Sequence, residues 1–193
     1  MVYLDAGGRS LRLSFSELRE RALEGRAPLK LHATFSPSER VCARPEVRSV
    51  TPARFDGSAW WKDGAVYLAG TLSFAARLVC VRCLSEFERS FRVSVDEIFR
   101  RGAPAASAED LPARELVEWV EEDAFDLLPH LEDWLILSLP DRPLCREDCK
   151  GLCPVCGKNL NEGPCGCKVE EVDPRLEALR ALLVPEEPDG PPS

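Results

Sequence analysis

The sequence predicts an α+β protein: a twisted antiparallel sheet with a few helices and a C-terminal Cys-rich zinc module. Three observations lead there. Period-two alternation of apolar and polar residues runs through much of residues 29–100. Two other stretches, near residues 14–24 and 126–137, carry apolar residues at helical spacing. Eight of the nine cysteines form four close pairs, and six of the eight lie within residues 145–167. With 193 residues and a 45% hydrophobic fraction, the chain can bury one core and carry a small appendage. The expected boundaries are a sheet domain with helices over 1–144, a zinc-binding module over 145–183 and a disordered tail over 184–193.

Residues 1–13 show weak strand character at Leu11 to Leu13. Ser14 and Glu17 form a capping box that starts a short helix, with Leu13 and Leu18 as its hydrophobic staple. Gly25 is placed to end that helix in a left-handed conformation, with Pro28 just beyond. Leu29–Phe35 alternates as a strand. Val47–Phe55 continues the signal, and Pro52 marks it as an edge strand. Asp63-Gly64 joins Trp60-Trp61 to the run Ala65–Leu78 and reads as a hairpin turn. Phe87–Phe99 is a third long strand, and Cys80-Val81-Arg82-Cys83 lies in the connection before it. The two tryptophans are adjacent on a strand, so one faces the core and the other the opposite side.

Residues 102–113 are small and proline-containing and read as a flexible loop. A short strand is expected at Leu116–Val120. Asp126 is placed to cap a helix through Leu137, with Pro129 in its first turn and Leu127, Leu128, Leu131, Trp134, Leu135 and Leu137 as its apolar stripe. Pro140 and Pro143 stop it. Asp173-Pro174 opens a last short helix with Leu176, Leu179, Leu182 and Leu183 on one side, and the tail PEEPDGPPS lacks apolar residues to bury.

The cysteine pairs are Cys80-x2-Cys83, Cys145-x3-Cys149, Cys153-x2-Cys156 and Cys165-x-Cys167. No apolar run approaches the roughly 20 residues that span a bilayer, and the first residues lack the pattern of a signal peptide. A cytoplasmic protein is therefore expected, and in a reducing cytosol clustered thiols are metal ligands rather than disulfides. A C-x2-C turn presents two sulfurs on one side of a tight loop, which is half of a tetrahedral zinc shell. Two zinc ions suit eight ligands. The preferred partition sets Cys80, Cys83, Cys145 and Cys149 in one site and Cys153, Cys156, Cys165 and Cys167 in the other. An alternative joins the 80/83 and 153/156 turns. Iron uses similar four-thiolate turns and remains open as the metal. No βαβ pattern frames either C-x2-C, which argues against thioredoxin-type redox chemistry. Cys42 stands apart and reads as an ordinary buried thiol.

The net charge of −8 is uneven: residues 1–101 carry +5 and residues 102–193 carry −13. Such a chain can set one face on phosphate or dock a basic protein with the other. Arg82, Arg146, Lys150, Lys158 and Lys168 lie among the cysteines and offset thiolate charge. Arg82, Lys150, Lys158, Asn159 and Asn161 also combine positive charge and amides in a pattern suited to RNA. The carboxylates Glu118, Glu121, Glu122, Asp123 and Asp126 read as a solvated acidic edge rather than a magnesium site, since no basic motif is interleaved with them. The sequence holds no G-x-x-x-x-G-K-[ST], G-x-S-x-G or H-E-x-x-H motif, and its two histidines leave little for acid–base catalysis.

The stretch CREDCKGLCPVCGKNLNEGPCGC at 145–167, followed by DPRLEAL at 173–179, resembles the C-terminal signature of the YceD family. CVRCLSEFERSF at 80–91 and FDLLPHLEDWLILSLPDRPLC at 125–145 are similar to its upstream elements. The resemblance implies a role in accumulation or maturation of the large-subunit (23S) ribosomal RNA. It also implies that the cysteines of 153–167 stabilise rather than serve an essential step. The expected function is a non-enzymatic ribosome-biogenesis factor that binds 23S RNA or a large-subunit ribosomal protein, with no membrane and no small-molecule substrate. A metal-dependent RNA-processing enzyme and a pure protein-interaction adaptor are the alternatives.

Overall fold

The computed structural model describes residues 10–103 and 117–167. Strand β1 (Arg12–Ser14) runs directly into helix α1 (Phe15–Leu23). Ser14 is extended, and its Oγ accepts a hydrogen bond from Glu17 N at 3.2 Å. Leu13 and Leu18 are both buried, as the staple requires. At the other end Gly25 N donates to Ala22 O and Arg26 N to Arg21 O, with Gly25 at φ +68°. That pair of bonds is a Schellman stop, which needs the left-handed residue glycine supplies without strain.

Six strands form the main sheet: β2 (Leu29–Phe35), β3 (Val47–Val50), β4 (Ala53–Lys62), β5 (Ala65–Val79), β6 (Glu86–Arg101) and β7 (Val117–Val120). The order is β2-β4-β5-β6-β7, and β3 also pairs with β5. Asp63 and Gly64 have φ of 49° and 79°, the two left-handed residues of a type I′ turn, and they hold Lys62 opposite Ala65. β5 and β6 are paired from Ala65↔Arg100 to Val79↔Glu86.

The structure departs from the sequence reading in five places. The run 47–55 is not one edge strand. Pro52 has no N–H for the ladder, so the chain divides: β3 pairs Ala76–Leu78 of β5, and β4 lies between β2 and β5. Thr51 bridges the break, donating its N–H to Ala75 O and accepting Ala75 N at its Oγ1. The sheet is mixed, because β7 pairs with β6 in parallel. A parallel partner needs a crossover of about a dozen residues or more, and residues 102–116 provide one. Asp126 is not the N-cap residue of α2 (Leu128–Ser138). It ends β8 (Ala124–Asp126), the partner of β1, and its carboxylate accepts Leu128 N from one position further out, together with Leu11 N. Leu137 leaves the apolar stripe and is 80% exposed, because it sits only two residues from buried Leu135 and so on another side of the helix. Cys42 is exposed; Val41 takes the buried position in the 3-10 turn Glu39–Cys42.

One face of the sheet carries the core. Leu31, Phe35, Phe55, Leu68, Leu72, Val95 and Phe99 lie there with Phe15 and Leu18 of α1 and Leu131 and Leu135 of α2. Trp61 packs on this core, edge-on to Phe15. Trp60 points to the other face and stacks on Tyr67 with centroids 5.7 Å apart. Most of the predicted loop at 102–113, and the predicted last helix and tail, lie outside the described residues.

Candidate metal centres

The β5–β6 hairpin extends past the sheet core and ends in the first C-x2-C. Cys80 N donates to Ser85 O, and Leu84 N donates to Cys80 O. Leu84 closes the turn at φ 59°. These bonds wrap the backbone around the sulfurs of Cys80 and Cys83. The partner segment follows α2. Pro140 and Pro143 end the helical direction, and Val81 N donates to Pro143 O, which brings Cys145 and Cys149 beside the hairpin tip.

In this first cluster the sulfurs of Cys80, Cys83, Cys145 and Cys149 all lie within 4.8 Å of one another. Cys80–Cys149 and Cys83–Cys145 are each 3.7 Å apart. Four thiolates held about 2.3 Å from a central ion stand about 3.8 Å apart along each tetrahedral edge. A disulfide needs about 2.05 Å, and none of the eight cysteines is joined in one. Burial would raise the Cys80 thiol, but backbone N–H groups of Cys145, Cys83 and Arg82 pull it down to about 6. Burial and the neighbouring sulfurs push Cys145 up to about 12. Metal ligation takes the thiolate form, so a cation entering the cluster displaces its thiol protons.

The second cluster is local. Cys153, Cys156, Cys165 and Cys167 also lie within 4.8 Å of one another. Gly157 N donates to Cys153 O, and Val155 N points at Cys153 Sγ from 3.4 Å. Backbone N–H groups of Cys156 and Val155 draw the Cys153 thiol down to about 6, and hydrogen bonds with Cys156 and Cys165 hold Cys167 up at about 12. The eight cysteines therefore separate spatially as the preferred partition has them. The pairing of 80/83 with 153/156 is not the one adopted. Each tetrad can hold a metal ion, and soft thiolate donors suit zinc or iron.

The clusters are joined by residues first considered for RNA contact. Asn161 Nδ2 donates to Cys149 Sγ at 3.3 Å, and its Oδ1 accepts Lys150 N at 2.8 Å. Asn159 Oδ1 accepts Asn161 N and Nδ2, and its own Nδ2 reaches Ser85 Oγ. Arg82 donates from Nη1 to Cys149 O at 2.9 Å, and Lys158 Nζ donates to Pro164 O at 3.2 Å. Lys150 is exposed. Gly151, at φ +74°, backs onto Arg82 so closely that a Cβ there would stand 3.1 Å from Arg82 O. Sequence reasoning missed this joining role of Asn161; its position in the second cluster's loop, between Cys156 and Cys165, was the available signal. In the acidic run, Asp123 accepts from Ser14 and Ser16, and Asp126 from Leu11 and Leu128. Among the described residues only the two cysteine tetrads form a metal-holding group.

The model of the family described as large ribosomal RNA subunit accumulation protein YceD matches residues 68–183, which contain both tetrads. The chain belongs to the YceD family. An uncharacterized protein of Mycobacterium tuberculosis is 35% identical over 121 residues, 63% of this chain and 57% of the relative, so the chain spans little more than half of that protein. The uncharacterized protein YlbN of Bacillus subtilis is 30% identical over 151 residues, 78% of this YceD chain and 85% of YlbN. A chloroplastic YCED homolog of Arabidopsis thaliana, named for large ribosomal RNA subunit accumulation, is 38% identical over 53 residues, 28% of this chain and 16% of its own. No solved structure matches. Among the described residues no helix is long and apolar enough to cross a membrane.

Proposed function

We propose that this YceD chain is a non-enzymatic factor in accumulation and maturation of 23S ribosomal RNA. It would act in the cytoplasm by binding that RNA or a large-subunit ribosomal protein, on a surface stiffened by two zinc ions. The observation that carries the reading is the pair of sulfur tetrads, each within 4.8 Å, inside a match to a family named for large ribosomal RNA subunit accumulation. Cys80, Cys83, Cys145 and Cys149 would hold one ion, and Cys153, Cys156, Cys165 and Cys167 the other. A four-thiolate site is closed, whereas catalytic zinc keeps a position open for water or substrate. That favours a scaffold over the RNA-processing enzyme. Each zinc with four thiolates carries a charge of −2, which Arg82, Lys150 and Lys158 offset; Lys150 and Lys158, beside the ligand cysteines in sequence, would meet phosphate.

Metal analysis of the purified protein should give two zinc ions per chain, falling to about one in Cys156→Ser. Co-sedimentation should place the protein with large-subunit precursors, and depleting it should lower 23S RNA. A metal-free folded protein, or unchanged 23S RNA on depletion, overturns the reading.

A further inference from the structure

From Phe91 to Phe99 the odd-numbered residues of β6 face the core, and the series Phe91, Val93, Val95, Phe99 is apolar except at Glu97. Glu97 stands opposite Leu68, its side chain is 11% exposed, and its Oε2 has no hydrogen-bond partner. Its Oε1 lies 3.9 Å from His130 Nδ1. Burial raises the carboxyl above its usual range against the pull of His130 and of a hydrogen bond from the Trp134 side chain. A core-facing carboxylate with one oxygen lacking a hydrogen bond costs stability. On β7 Glu118 pairs in register with Phe99 and so shares this face. Glu97 and Glu118 line a cavity of about 380 Å³ whose other walls are His130, Trp134, Ile136 and Leu137 of α2. Asp133 and Arg40 close the edge, already joined to each other at 3.1 Å.

We infer that this cavity receives one cationic side chain, arginine or lysine, projected by a basic protein partner. Glu97, largely covered, and exposed Glu118 supply the charge. Trp134, Ile136 and the outlying Leu137 supply apolar wall for the methylene stem. The volume is in the range of a small-ligand pocket. RNA phosphate is repelled by the same two carboxylates. The inference rests on the protein-binding arm of the proposed function and names the chemistry of that contact.

The test is fluorescence anisotropy with a labelled arginine-rich peptide of about ten residues and its citrulline counterpart. Full-length protein should bind the arginine peptide and not the citrulline one. Glu97→Gln should weaken binding about tenfold or more, and Glu118→Gln by less. Glu97→Gln should also unfold at equal or higher urea concentration, since it removes a buried charge; a merely structural role would lower it. Equal affinity of wild type and Glu97→Gln, or equal binding of the citrulline peptide, overturns the inference. Restoration of 23S RNA in depleted cells separates the two readings. If wild type fails to restore it, the proposed function falls. If wild type restores it while Glu97→Gln binds peptide normally, only the cavity assignment falls.

Discussion

At the scale of single residues, the sheet depends on what is missing as much as on what is present. Gly57 and Gly70 face each other across β4 and β5, and the fully buried Phe55 ring lies over both. A Cβ on Gly70 would stand 2.6 Å from Phe55 Cζ and 2.8 Å from Asp56 O. The ring cannot move away without disturbing the packed core, and the carbonyl belongs to the ladder. Gly70→Ala should therefore destabilise the protein by about 2 kcal/mol, as overpacked cores do. Its urea midpoint should fall with the slope unchanged; an unaltered midpoint would mean that the ring yields freely. The sequence held half of this arrangement. Phe55 was legible as a strand residue, but no local pattern tells which glycine across the sheet an aromatic ring will cover. The metal clusters divide the same way. The cysteines announce themselves by spacing, whereas the bond from Asn161 to Cys149 depends on a loop path that spacing does not specify.

Elements were legible where local chemistry decided them. The Ser14 cap of α1, the Asp63-Gly64 hairpin and the Gly25 stop each act over a few residues, and each is found where the sequence set it. Leu137 and Cys42 were misplaced within their own turns, whereas three misreadings depend on distant partners: where the chain rejoins the sheet after Pro52, the parallel direction of β7, and Asp126 capping α2 from within β8. The start of α1 shows the same mixture. Ser14 caps it locally, but Asp123, more than a hundred residues away, accepts hydrogen bonds from Ser14 Oγ, Ser16 Oγ and Ser16 N. Those bonds, first from Ser16 and then from Ser14, with Arg101 nearby, hold the Asp123 carboxyl below its ordinary value. A lowered folded value means that the carboxylate stabilises the fold above its unfolded pKa of about 3.9 and loses that effect as pH falls through the folded value. Asp123→Asn should accordingly lower the urea midpoint near pH 7, and the gap from wild type should close toward about pH 3. A gap that stays constant across this range would assign the effect to the shape of the side chain rather than its charge.

For the whole molecule, the two clusters differ in how much chain they close. The sulfurs of Cys83 and Cys145 are 62 residues apart in sequence, and joining them ties the hairpin tip to the segment after α2. The longest gap inside the second cluster, Cys156 to Cys165, is 9 residues. Loop-closure entropy grows by about 0.6 kcal/mol per doubling of length, so the first closure restricts the unfolded chain by about 1.7 kcal/mol more than the second. Burial adds to the difference, because Cys83 is 5% exposed and Cys156 is exposed outright. Cys83→Ser should therefore lower the midpoint of global unfolding clearly more than Cys156→Ser, with metal content measured in parallel. Hydrogen exchange should locate the losses. Cys156→Ser should open amides in 151–167 and leave the β5–β6 hairpin protected, whereas Cys83→Ser should expose the hairpin tip and the 143–149 segment together. Asn161 bridges the clusters through Cys149, so the double variant should lose less than the two single losses combined. Strict additivity would mean that the two clusters are independent and that the Asn161 bond carries no coupling between them.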